Sequence, residues 1–183
     1  MKKGFTLVEL LLVILIFGIL ASISFSAIKN GGKSLALTRS AHALALEIRK
    51  AREMALAMKE VGGSTPPGYG IYINRATQNV ILFADDGKNW NRHFYCGPFL
   101  CSPPDRDTII DSTFQLEKNV RIQSIELPFG SVLVANIVFD PPHPITFITS
   151  AGLNFYDKVS ITLEAGGLTK TIKVNKAGLV SVE

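Results

Sequence analysis

Glu9 stands alone. From Phe5 to Ile28 every other residue is apolar, small or a hydroxyl, and this one carboxylate sits near the start of the run. A carboxylate held in hydrocarbon costs on the order of 2.5–3.5 kcal/mol at a helix centre. A chain keeps such a charge only if it finds a cationic partner, so Glu9 is a candidate functional residue. A second group of reactive side chains lies in mid-sequence. Cys96 and Cys101 flank Gly-Pro-Phe-Leu. That separation permits a disulfide if the turn brings the two Cα atoms within about 4.4–6.8 Å; free thiols and pairing with another chain are the alternatives. His93, Cys96, Cys101 and Asp105 form a fourfold donor set for zinc, but the spacing is irregular and lacks a Cys-x-x-Cys pair. Asp85, Asp86 and Asn89 offer oxygens in a turn with Gly87, without a complete calcium loop, and read better as a solvated turn. No Gly-x-Ser-x-Gly, His-Glu-x-x-His or phosphate-loop motif occurs, and His42, His93 and His143 are scattered. This composition gives no footing for catalysis and names no cofactor.

The elements that must position these groups begin with the apolar run. As a helix, Phe5–Ile28 spans about 36 Å at ~1.5 Å per residue, enough for a bilayer core of about 30 Å. Lys2 and Lys3 precede it and predict a cytoplasmic N-terminus, with the rest of the chain across the membrane. A bare signal anchor would account for the run. So would a secretory signal cut after Ser24-Phe25-Ser26, before Ala27. Neither accounts for Glu9.

The string Lys3-Gly4-Phe5-Thr6-Leu7-Val8-Glu9, followed by an uncharged run, resembles the processing signal of type IV pilins and type II secretion pseudopilins. The resemblance implies that a prepilin peptidase removes residues 1–4, cutting between Gly4 and Phe5, and methylates the new amine of Phe5. It also implies that Glu9 pairs with the N-terminal amine of a neighbouring subunit in a filament. That pairing fits the charge argument, because two buried ions of opposite sign offset much of each other's desolvation. On this reading the chain is a peptidase's substrate and not an enzyme. Its partners are the prepilin peptidase, other pilin or pseudopilin subunits and an inner-membrane assembly platform. It resides in the inner membrane as a single-pass protein with its globular domain outside the cytoplasm. Where many type IV pilins carry a helix proline, this chain has Ser26. Gly31-Gly32 marks a soft point, or a plain linker between membrane helix and domain, since each glycine costs roughly 1 kcal/mol in a helix.

Past the diglycine, Lys33–Val61 reads as a helix free of proline. Leu37, Ala41, Leu44, Ile48, Ala51, Ala55 and Met58 recur at steps of four and three, one stripe suited to packing on a sheet. Arg39, His42, Arg49, Glu53 and Glu60 lie off it. Gly62 to Gly68 ends the helix, and the rest alternates as strands. The predicted strands are Tyr69–Asn74 and Asn79–Ala84 as a hairpin, then Thr108–Leu116, Val120–Leu127, Val132–Phe139, Ile145–Thr149, Val159–Glu164, Thr169–Asn175 and Leu179–Val182. The fold class is α+β, a long N-terminal helix on an antiparallel β domain. The expected division is 1–4 leader, 5–28 transmembrane and filament-core helix, 29–61 amphipathic helix, 62–183 β domain. The order is similar to that of GspH/FimT-type minor pseudopilins. The C-terminal runs Ile145-Thr146-Phe147, Val159–Leu163 and Lys170–Val174 carry that finer likeness; residues 85–130 are not placed by it.

Charge and aromatics complete the picture. The 183-residue chain has a net charge of +4, and Lys2 and Lys3 contribute two of those charges. A weakly basic domain gives little reason to invoke nucleic acid. Lys158, Lys170, Lys173 and Lys176 bias the C-terminal end, yet four lysines on alternating strands are ordinarily a solvated face. A DNA-uptake subunit is therefore the lesser alternative, beside a membrane-anchored binding module that never polymerises. Trp90, Phe94, Tyr95, Phe99 and Leu100 surround the cysteines, as a docking patch if exposed or as a satellite core if covered.

Overall fold

The computed structural model describes residues 6–86, 93–97, 107–143, 145–150 and 152–183; the side chains of 23–30 and 152–153 lie outside that description. Among the described residues one helix, α1 (Leu7–Leu56), precedes eleven strands. Thr6 caps it in an extended conformation, and Glu9 completes a capping box that satisfies two N-terminal donors. The backbone stays helical through Gly31 and Gly32, so the diglycine is not a linker break. Neither glycine would meet a neighbour if given a Cβ.

The helix stops at Leu56, short of the predicted Val61. The Lys59 N–H bonds to the Met54 carbonyl at 3.1 Å and the Met58 N–H to that of Ala55 at 3.2 Å, while Met58 takes φ 46°. This is a Schellman ending with methionine in the left-handed position that glycine normally fills. Met58, expected on the buried stripe, is consequently turned out and 51% exposed. The remaining stripe residues, Leu37, Ala41, Leu44, Ile48, Ala51 and Ala55, are all buried, joined by Ala45 and Met54. Beyond the helix, Gly62 (φ 62°) and Gly63 (φ 84°) make a two-residue turn closing a Val61–Ser64 bridge. Both positions need positive φ, which glycine adopts freely.

The strands are β1 (Gly68–Asn74), β2 (Asn79–Asp85), β3 (Thr108–Asp111), β4 (Arg121–Leu127), β5 (Gly130–Val132), β6 (Val134–Asp140), β7 (Ile145–Ser150), β8 (Gly152–Tyr156), β9 (Lys158–Ala165), β10 (Leu168–Asn175) and β11 (Val180–Val182). They form two antiparallel sheets, ordered β3-β2-β1-β6-β7-β8 and β11-β10-β9-β4-β5. α1 touches β1 and β6 of the first sheet and β9, β10 and β11 of the second. Its stripe, with Ile71, Ile137, Phe139, Ile161 and Ile172, builds one apolar core between them. The α+β expectation therefore holds, with the predicted sheet divided in two.

The differences have local causes. The predicted strand Thr108–Leu116 ends at Asp111, whose Oδ1 accepts both the N–H and the hydroxyl of Thr113 at 2.8 and 2.7 Å. That side-chain turn competes with the ladder. The predicted Val132–Phe139 strand divides at Leu133: Val132 pairs with β4 in one sheet, and Val134 onward pairs with β1 in the other. One apolar run thus serves both sheets. The Leu133 carbonyl accepts the Arg75 N–H at 2.8 Å across the change. Gln78 adds a second tie, exchanging bonds of 2.6 and 3.1 Å with the backbone of Ile122. The edge strand β8 was not foreseen, because Gly152-Leu153-Asn154 carries little strand preference.

Candidate functional site

Two regions hold the candidate residues. At the helix start, Lys2, Lys3, Gly4 and Phe5 lie outside the described residues. Glu9 is described, and its carboxylate is turned back on its own helix end. Its Oε2 accepts the Thr6 N–H and hydroxyl, each at 3.5 Å, and the Thr6 hydroxyl accepts the Glu9 N–H at 3.3 Å. Contacts of this length are weak hydrogen bonds, so a cation arriving at the helix end competes with them readily. Around and beyond Glu9, the described side chains from Leu7 to Ser22 are exposed and none of them packs on the domain: Leu7 is 78% and Phe17 69% exposed. A helix that is hydrophobic all round is one that lies inside something else. Among the described residues no helix is long and apolar enough to cross a membrane. The expected span, 5–28, runs past the described side chains at both ends.

The second region is residues 93–97, which lie on the face of the six-stranded sheet away from α1. Antiparallel pairing of Ala84 with Thr108 brings the end of β2 beside the start of β3. That juxtaposes Asp85, Asp86 and Asp107, whose carboxylate oxygens come within 4.8 Å of one another. Asp85 and Asp107 hold backbone. Asp107 accepts the Cys96 N–H at 2.6 Å and the Asp86 N–H at 3.2 Å. Asp85 accepts the His93 N–H at 3.0 Å. Asn136 of β6 accepts the Tyr95 N–H at 3.3 Å, and the Thr149 hydroxyl of β7 donates to the His93 carbonyl at 2.9 Å. His93 Nδ1 lies 3.3 Å from Asp140, and its ring stacks on Phe147 at 3.8 Å. Burial pushes the Asp107 carboxyl up to about 7; the nearby Asp85 and Asp86 charges add to this, against the lowering by its two amide donors. Burial likewise raises the Tyr95 phenol, with the Asp107 charge adding to it.

The zinc set that the irregular spacing disfavoured gains no support at His93 and Cys96. His93 is engaged with Asp140 and Phe147, and Cys96 is disulfide-bonded, which removes its thiolate as a ligand. Cys101, the other cysteine of the chain, and Asp105 lie outside the described residues, as do Asn89, Trp90, Phe99 and Leu100. Asp85 and Asp86 are not a solvated turn: Asp85 is buried, and both join the cluster with Asp107. Of the aromatic group, Tyr95 is buried against Phe83 and Tyr72, at 5.0 and 4.8 Å between ring centroids, in a satellite core. His42 is exposed, as expected. Lys173 pairs with Glu183 at 2.6 Å and Lys176 with Asp157 at 2.9 Å, which lowers the positive field at that end. Phe129, which sequence reasoning passed over, stands 93% exposed at the β4–β5 turn beside Tyr156.

Residues 1–25 match the family model of the prokaryotic N-terminal methylation motif. No curated protein and no solved structure matches the chain. The motif indicates a protein of the type IV pilin and pseudopilin kind, processed by prepilin peptidase and assembled with other pilins. It suggests a membrane-anchored structural subunit, not an enzyme, and the helix-on-sheets architecture is consistent with a pilin-like fold.

Proposed function

We propose that this chain is a minor pseudopilin of a type II secretion system or a minor pilin of type IV pili, of the GspH/FimT type. The observation that carries the reading is the methylation motif over residues 1–25 together with a helix start whose large apolar side chains from Leu7 to Leu20 find no cover among the described residues. Residues 1–4 are the leader. The peptidase cuts between Gly4 and Phe5 and methylates the Phe5 amine. The segment 5–28 holds the subunit in the inner membrane as a single pass, N-terminus in the cytoplasm, and later lies in the filament core. Glu9 exchanges its long bonds to Thr6 for the charged amine of a neighbour, which sets the register between subunits. The β domain stays outside the cytoplasm, where an oxidising environment favours the Cys96–Cys101 disulfide. Mass spectrometry of the mature protein should find an N-terminus at Phe5 carrying one added methyl group. An N-terminus at Met1 or Ala27 would overturn the reading.

A membrane-anchored binding module that does not polymerise shares the anchor but not the role of Glu9. Glu9→Leu should give a stable, processed subunit that fails to enter filaments; unchanged assembly would favour the module. Neighbouring genes for an outer-membrane pore, an extension ATPase or competence proteins would decide between secretion, pilus and DNA uptake.

A further inference from the structure

The cations of the domain are gathered at one end. Traced toward its N-terminus, α1 leaves the core at Leu37, and several turns meet it there. The β9–β10 turn lies against Lys33: a Cβ on Gly166, which has φ 60°, would come within 2.6 Å of Lys33 Cδ. Glu164 beside that turn pairs with Arg121 at the start of β4, at 2.6 Å. The β1–β2 turn is tied to the same strand start by the two Gln78–Ile122 bonds. The segment before β4 is tied to α1 by the Glu117 N–H, which donates to Ser40 Oγ at 3.0 Å. These contacts bring Lys33, Arg39, Arg75, Lys118, Arg121 and Lys170 to the end where the helix emerges, against only Glu117 and Glu164. Arg39, Arg75, Lys118 and Lys170 form no ion pair among the described residues.

We propose that this end of the domain is a cationic collar that docks on a bilayer surface bearing anionic lipid headgroups and so holds the domain down beside its own membrane helix. The inference rests on the anchoring of segment 5–28 given above. The helix runs unbroken from that segment to Lys33, a rise of about 8 Å at ~1.5 Å per residue. The nearest part of the collar is thus held about one Debye length from the membrane at physiological salt. Elsewhere in residues 31–183 acids outnumber bases, so the positive field of the domain is directed to this end. Clusters of about four to eight Lys or Arg beside a membrane helix suffice to hold anionic headgroups. Leu35, 50% exposed, and Leu168, 43% exposed, stand among these cations and offer apolar contact to the headgroup layer. A second copy or duplex DNA would answer the same charge, but the tether delivers only the bilayer at high effective concentration.

Paramagnetic relaxation of amides tests this on the full chain, in lipid nanodiscs that carry a gadolinium-chelating headgroup lipid. Discs of phosphatidylcholine alone are compared with discs of phosphatidylcholine and phosphatidylglycerol. Relaxation at Ala76, Gly167 and Leu168 should rise several-fold with the anionic lipid, while Phe129 and Gly130, at the opposite end of β4, stay unaffected. The rise should fade as sodium chloride goes from about 0.05 to about 0.5 M. Arg75→Glu combined with Lys118→Glu should weaken it about ten-fold; if that variant does not fold, the salt series decides. Equal relaxation in the two kinds of disc, an equal rise at both ends of β4, or indifference to salt would overturn the collar. So would a rise seen only when several copies share a disc, which would give the surface to a second copy, or binding of duplex DNA with no response to lipid. Protection of Ile14, Leu15 and Ile16 from a water-soluble relaxation agent reads the anchor separately. Its loss would overturn the membrane reading and the collar with it; protection there with no rise at Leu168 would overturn the collar alone.

Discussion

Asp107 and Met58 carry the clearest consequences for single residues. Asp107 is buried and its carboxyl is raised from 3.8 to about 7. The folded chain therefore binds more protons than the unfolded chain between those values, so stability falls as pH rises through that window. The slope from one group is at most about 1.4 kcal/mol per pH unit. Urea unfolding at pH 5 and pH 7.5 should show the lower pH to be the more stable, and Asp107→Asn should shrink the difference. Met58 occupies a left-handed conformation that costs an L-residue roughly 1–2 kcal/mol. Met58→Gly removes that strain and adds unfolded-state entropy, for a net stabilisation of about 0.5–1 kcal/mol. A rise in the thermal midpoint checks it.

The helix and the six-stranded sheet set the next scale. Ile48 is fully buried at the centre of the stripe. Ile48→Ala should cost about 2–5 kcal/mol in urea unfolding, through lost burial and a residual cavity. Gly70 lets the Phe83 ring lie across β1: a Cβ there would come within 2.5 Å of Phe83 Cζ and 2.9 Å of Val138 Cγ2. Gly70→Ala should destabilise by about 1–3 kcal/mol, as overpacking does, and should also loosen Tyr95, which rests on that ring. Gly31 and Gly32 are the opposite case, exposed in a helix with open space around them. Alanine at both should strengthen the helix by about 1 kcal/mol each, read as added helicity by circular dichroism. A loss of filament assembly in that stiffer variant would give the diglycine a role in bending.

At the scale of the whole molecule, the chain divides energetically. Residues 7–22 contribute nothing to the core, and the buried cluster begins at Leu37. A chain starting near residue 31 should therefore fold and remain monomeric without detergent, while the full chain should need detergent or lipid. Size-exclusion chromatography of both checks this. A truncated chain that aggregates would mean that the apolar helix supports the domain itself.

Much of this was legible in one dimension. Glu9 showed as a single charge in an apolar run, and the 3.6-residue stripe named Leu37 to Ala55 as core. The hairpin Tyr69–Asn74 and Asn79–Ala84 stood out because period-two patterns and turn residues act between near neighbours. Those signals are local, so they survive without a fold. Three features did not: the division of one apolar run at Leu133 between two sheets, the turn of Met58 out to solvent, and the meeting of Asp85 with Asp107. Each depends on which strand lies beside which, or on a helix ending where its carbonyls find partners. Pairing across long sequence separations is decided by burial of the common core, and only the tertiary structure contains it.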